Sequence, residues 1–157
     1  MSNFKLKPTH APVRAYYQTL EKLGQGKFDN EGNIRRAFES LLEKCARSFE
    51  WFVVAEYQIT RPGKSPLRVD AAVLDAFNLP RGYWEAKDEK DDLTAEMNKK
   101  FAAGYPRTNI LFQAPTRAIL VQDGLPLTIT FAAECKKPCR ESGKIAIKIV
   151  RPHGQSL

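Results

Sequence analysis

The chain has 157 residues, 43% of them apolar, with a formal charge of +7 and a pI near 9.4. That size suits one domain with a core of its own. No apolar run reaches bilayer-spanning length and Met1 to His10 lacks a signal-peptide stretch, which argues against membrane and secreted classes and leads to the expectation of a cytoplasmic protein. Excess positive charge points to a polyanion partner, of which nucleic acid is the commonest.

Taken in chain order, Pro12 suits a first helical turn, and Val13, Tyr16, Tyr17, Leu20 and Leu23 recur at helical spacing up to Gly24. A second helix is expected from near Asn33, with Ile34, Phe38, Leu41, Leu42 and Cys45 as its apolar stripe. Trp51 to Thr60 reads as a strand, Arg61 to Ser65 as a turn and Leu67 to Phe77 as the returning strand of a hairpin. A further strand carries Glu85. Asp91 or Asp92 can cap a helix built on Leu93, Met97 and Phe101 that ends near Gly104. Ile110 to Gln113 and Ala118 to Gln122 read as short strands, followed by a turn at Asp123-Gly124 and then Leu127 to Ala132. The expected order is α-α-β-β-β-α-β-β, a mixed α/β sheet flanked by helices, in which the strand–helix–strand unit after Glu85 requires a crossover and parallel pairing.

The chemistry concentrates in two segments, Arg68-Val69-Asp70-Ala71-Ala72-Val73-Leu74 and Gly82-Tyr83-Trp84-Glu85-Ala86-Lys87. Side chains alternate faces along a strand, so Glu85 and Lys87 share one face and Trp84 and Ala86 the other. If the segments pair, Asp70, Glu85 and Lys87 converge. Two carboxylates can hold a hard divalent cation, and an adjacent lysine can position water or offset developing charge. Acid–any–lysine triplets also occur at Asp88-Glu89-Lys90 and Glu134-Cys135-Lys136, but neither is preceded by an apolar strand bearing a second acid. Asp75 lies at an odd offset from Asp70 and is expected on the opposite face. Cys45, Cys135 and Cys139 do not suggest a disulfide framework, and Cys135 with Cys139 lacks a second ligand pair for zinc.

These segments resemble the PD-(D/E)xK nuclease superfamily. The continuation Gly104-Tyr105-Pro106-Arg107-Thr108-Asn109-Ile110-Leu111-Phe112, the stretch Ala118 to Gly124, and the opening Tyr16-Tyr17 and Arg36 to Leu42 are similar to the Mrr-like nuclease domain at the N-terminus of Type ISP, single-polypeptide restriction–modification enzymes. The likeness covers roughly residues 13–124 and fades beyond. It implies a restriction-endonuclease-like domain, expected over residues 1–134; the basic tail at 135–157 gains nothing from it. It also implies Mg2+, with Mn2+ as a substitute, held by Asp70, Glu85 and a helical acid, Glu39. Lys87 takes the place of the catalytic lysine.

The activity so implied is metal-dependent cleavage of double-stranded DNA, as the cleavage module of an enzyme with helicase and methyltransferase domains. The chain itself has no room for those domains, so a fragment, an excised domain or a stand-alone relative is expected. The alternative is a nucleic-acid-binding or scaffold domain that kept the fold and lost the chemistry. Lys99, Lys100 and Arg107, on and after the helix that follows the Glu85 strand, are the candidates for DNA phosphate contacts.

Overall fold

The computed structural model describes residues 9–28, 30–132 and 146–150, with side chains through Ile129. Two helices, α1 (Ala11–Gln25) and α2 (Glu31–Arg47), open the chain. α2 begins two residues before the sequence expectation because the Asn30 side chain accepts a hydrogen bond from Asn33 N at 3.0 Å and caps it. Val13 and Tyr16 of α1 and Ala37, Phe38 and Leu41 of α2 are buried, so the apolar stripes face the core as their spacing requires.

The strands β1 (Phe52–Ala55), β4 (Ala71–Leu74), β5 (Pro80–Ala86), β6 (Ile110–Ala114), β7 (Arg117–Gln122), β8 (Leu125–Ala132) and β9 (Ala146–Val150) form one sheet in the order β1-β4-β5-β6-β7-β8-β9. β5 and β6 are parallel, joined across one face by helix α3 (Leu93–Ala102), and the other pairs are antiparallel. β9 adds an edge strand in a stretch where the sequence suggested no element. Cys135, Cys139 and the triplet Glu134-Cys135-Lys136 lie outside the described residues.

The expected hairpin from Trp51 to Phe77 exists, but it is broken into two pieces. Its base, β1 with β4, belongs to the large sheet, while its tip, β2 (Gln58–Arg61) with β3 (Lys64–Arg68), forms a separate two-stranded sheet. Register carries through the break, since Glu56 N donates to Asp70 O at 2.7 Å and Val69 N to Tyr57 O at 2.9 Å. Glu56 adopts φ 53°, a left-handed conformation that turns the ribbon there. The tip leans on α3, whose end is tied down by Arg61 Nη1 donating to Ala103 O at 3.0 Å and Tyr105 Oη donating to Arg68 O at 2.8 Å. Asp70 sits at this bend.

Two cores cover the two faces of the sheet. On one, Trp84 and Ala71 pack with Tyr16, Phe38 and Leu41 of the helical pair. On the other, Leu93 and Met97 of α3 pack on Ile110, Phe112, Ile119 and Val121. Trp84 is 2% exposed and Phe112 is fully buried, and they carry the bulk of each face. The second face is the one toward which Glu85 and Lys87 project.

Candidate functional site

The register of β4 against β5 pairs Ala71 with Trp84 and Ala72 with Tyr83, so one step further places Asp70 across from Glu85. Asp70 Oδ2 accepts a hydrogen bond from Ala86 N at 2.8 Å, which clamps it to the strand that carries Glu85 and Lys87. Its Oδ1 lies 2.9 Å from Arg35 Nη2, a guanidinium contributed by α2. Asp70 therefore stands at the open end of the paired strands, touched by α2, with its charge felt by Glu85.

Glu85 is 3% exposed. Its Oε2 lies 2.9 Å from Lys100 Nζ and 3.7 Å from Lys87 Nζ, whereas the buried Oε1 has no hydrogen-bond partner among the described residues. Burial pushes its carboxyl above the usual range, Asp70 adds to that, and the lysines pull against it without prevailing. Lys87 Nζ, 12% exposed, is held 2.9 Å from Glu96 Oε2. That hydrogen bond keeps the Glu96 carboxyl below its ordinary value. Lys100 Nζ also reaches Tyr105 Oη at 3.2 Å and lies over that ring at 4.5 Å. Burial draws the Lys100 ammonium down, yet its hydrogen bonds to Glu85 and Tyr105 outweigh this and hold it above the ordinary lysine value.

These contacts form a square of alternating charge. The strand presents acid and base two residues apart, which share a face by the pleat. The helix presents acid and base four residues apart, which share a face by the 3.6-residue turn. Each charge meets its opposite: Lys87 with Glu96, and Glu85 with Lys100. Glu96 and Lys100 thus complete the charged cluster around Glu85 and Lys87. The signal that could have found Glu96 was its i, i+4 offset from Lys100, across the crossover from Glu85.

The sequence-derived candidates divide accordingly. Asp70, Glu85 and Lys87 are brought to one strand end. Lys100, expected at a phosphate-facing surface, is instead the partner of Glu85. Lys99 is 76% exposed and only 3.7 Å from Glu96 Oε1. Arg107 is exposed, its guanidinium over the Phe101 ring at 5.0 Å. Glu39 does not join the strand acids: it is half-buried on α2, and among the described residues no three His, Cys, Asp or Glu side chains converge. Arg35, one helical turn earlier, holds the place beside Asp70 instead. Asp75 is buried in the β4–β5 turn, accepting from Phe77 N, Leu79 N and Arg81, and so organises the hairpin away from the site. Asp88-Glu89-Lys90 is exposed, and the Glu89 carboxylate is bound to Thr116.

A cavity of about 280 Å³ adjoins this cluster, lined among others by Arg35, Ala86, Lys87, Asp88, Glu89 and Gln113. It opens where β5 and β6 end together, with Lys87 N donating to Gln113 O at 2.8 Å. The carboxyl ends of parallel strands are the usual place for ligands in α/β sheets.

A divalent metal is compatible with these side chains. Mg2+ takes hard oxygen ligands, commonly one or two carboxylates completed by water and substrate phosphate. Asp70 and Glu85 supply two such carboxylates, and the orphaned Oε1 of Glu85 is a buried donor oxygen without a protein partner among the described residues.

No family model and no curated protein matches this chain. Eight solved chains do. One is a chain from the cryo-EM structure of a DrdV–DNA complex, with a TM-score of 0.68 and 35% sequence identity over 73% of this chain and 12% of that one. The fold is restriction-endonuclease-like. The chain spans about an eighth of that neighbour's length.

Proposed function

We propose that the protein is a metal-dependent DNA endonuclease that hydrolyses phosphodiesters at Asp70, Glu85 and Lys87. The observation that carries this reading is the Glu85 carboxylate, buried beside Asp70 and Lys87 with one oxygen orphaned. A buried acid near a second acid is costly to a protein that does not use it, and perturbed groups of this kind cluster at functional sites. Asp70 and Glu85 are the residues that would hold Mg2+ or Mn2+. When bound, the metal supplies Lewis-acid polarisation of a phosphoryl oxygen and lowers the pKa of water.

The side chains do the rest. The backbone N–H of Ala86 fixes the Asp70 carboxylate, and Lys100 fixes one Glu85 oxygen while the other stays buried without a partner among the described residues. Lys87, held by Glu96, is a lining residue of the cavity, and its ammonium would offset negative charge that grows on a phosphoryl group in the transition state. A DNA partner is supported by the net charge and by the solved neighbour, itself in complex with DNA. The finer reading is a cleavage module of a Type ISP-like polypeptide that also carries motor and methyltransferase domains; it rests on the sequence resemblance, and the neighbour's far greater length is compatible with it.

Incubation of supercoiled plasmid with the wild type, Asp70→Ala and Lys87→Ala, with and without Mg2+, tests the reading. Nicking that needs Mg2+, Asp70 and Lys87 is expected. Nicking that persists in Asp70→Ala overturns the site, and DNA binding without nicking under Mg2+ or Mn2+ favours the inactive binding domain.

A further inference from the structure

Arg35 is the one cation of the site that comes from the helical pair rather than from β5 or α3. Its Nη2 lies 2.9 Å from Asp70 Oδ1, its guanidinium carbon is 6.0 Å from the centroid of the Trp84 ring, and its side chain retains 33% exposure. It also lines the cavity together with Lys87. A guanidinium has five donors in a planar fork, suited to two oxygens of a carboxylate or a phosphate. Only the donor to Asp70 is engaged among the described residues.

Each Asp70 oxygen already has a partner in this arrangement. One accepts from Ala86 N and the other meets Arg35. A cation seated between Asp70 and Glu85 would face the positive charge of Arg35 across that carboxylate. Two tetrahedral phosphate oxygens offered from the cavity would draw the same fork away from Asp70, because the cavity lies on Arg35 and Lys87 alike. Of the acids around the cavity, the Glu89 carboxylate is already bound to Thr116, Asp88 Oδ1 accepts from Glu89 N and Glu31 is exposed at the start of α2; of its two cations, Lys87 is held by Glu96, which leaves Arg35 as the one with donors to offer an anion. At about 280 Å³ the cavity is near the lower end of ligand pockets, enough for a phosphodiester with its sugar.

We propose that Arg35 is a substrate-binding residue that takes a DNA backbone phosphate in this cavity and, while no DNA is bound, covers Asp70 and weakens its hold on a divalent cation. Metal and DNA then favour one another: the phosphate removes the competing guanidinium, and the cation releases Arg35 to the phosphate. The inference rests on the nuclease reading of Asp70 and Glu85, and adds that loading of the metal is coupled to the presence of DNA.

The test uses Mn2+ and a short DNA duplex in separate arms. Calorimetry with Mn2+ and no DNA compares the wild type with Arg35→Gln, Arg35→Ala, Arg35→Lys and Asp70→Ala. Removing a unit charge a few ångströms from the cation, discounted for partial exposure, is expected to tighten Mn2+ binding on the order of tenfold in Arg35→Gln and Arg35→Ala. Arg35→Lys should stay near the wild type. With EDTA present, duplex binding by Arg35→Gln should weaken, with a slope of log K against log salt smaller by about 0.9. Circular dichroism melts establish that each variant is folded, and Arg35→Gln keeps a polar group of similar reach should Arg35→Ala fail to fold. Mn2+ affinity within twofold of the wild type, or an unchanged salt slope, overturns the role of Arg35. Equal Mn2+ binding by the wild type and Asp70→Ala fails the nuclease reading itself.

Discussion

Lys100→Met removes the closest counter-charge of Glu85 while keeping an unbranched chain of similar length against Tyr105. In the wild type Lys100 Nζ is 2.9 Å from Glu85 Oε2, and Glu85 is 3% exposed, so water cannot take over as a partner. Breaking a buried ion pair from one side costs about 3–5 kcal/mol, because the remaining charge stays desolvated. Lys100 is itself 22% exposed, and Lys87 remains within 3.7 Å of the same oxygen, so the loss here is about 2–3 kcal/mol. For a chain of this size that is a fall in Tm of about 4–12 °C.

The penalty has a pH signature. Glu85 already sits above the usual carboxylate range, and losing Lys100 raises it further. A carboxyl whose folded pKa is raised destabilises the ionised protein and stops doing so once protonated. The deficit of Lys100→Met is therefore fullest at neutral pH and shrinks as pH falls through the raised pKa of Glu85. Urea denaturation at neutral and mildly acidic pH, run on Lys100→Met, Glu85→Gln and the double variant, measures it. The double variant should recover most of what Lys100→Met loses. A loss below about 0.5 kcal/mol, or losses that simply add in the double variant, would refute Lys100 as the partner of Glu85.

Tyr16→Phe should stabilise the fold by about 1 kcal/mol, since the buried Tyr16 hydroxyl has no hydrogen-bond partner among the described residues while its ring packs edge-on against Phe38. Burial, with Tyr17 beside it, pushes the Tyr16 phenol well up, so the wild type loses stability as pH rises past the ordinary tyrosine value. The variant should show a shallower alkaline loss in chemical denaturation, and equal loss in both proteins would contradict the assignment. For DNA binding, replacing Lys99 and Arg107 together with alanine should lower the salt slope by about two if each meets a phosphate, measured by fluorescence anisotropy. An unchanged slope would return both to ordinary surface roles.

The sequence by itself determined the three helices, the strands from Glu85 onward to β8, and which neighbours share a face. The strand pleat alone puts Glu85 and Lys87 together and sends Trp84 to the other side, where it meets Phe38 with ring centroids 5.3 Å apart. The α1 and α2 stripes and the α3 stripe were equally legible, because burial of apolar side chains at helical period leaves few alternatives. The order of the Asp70 and Glu85 strands was legible too, but their pairing was only a condition until the register of β4 on β5 put Asp70 across from Glu85. What it left open was everything that depends on how separate elements meet. Alternation along one strand says nothing about which helix covers it, so the partnership of Glu85 with Lys100 and of Lys87 with Glu96 required the crossover to lay α3 on that face of β5. The same limit hid that Lys100 pairs with Glu85, and that Arg35 rather than Glu39 is the α2 residue beside Asp70. Helix periodicity shows which residues share a face; the angle at which α2 crosses the sheet decides which of them reaches Asp70. The turn in the hairpin at Glu56 was hidden for a related reason. A β-rich run carries no mark of where it will bend, and only the folded hairpin, with Glu56 in a left-handed conformation and its N–H on Asp70 O, shows that Asp70 sits at the bend.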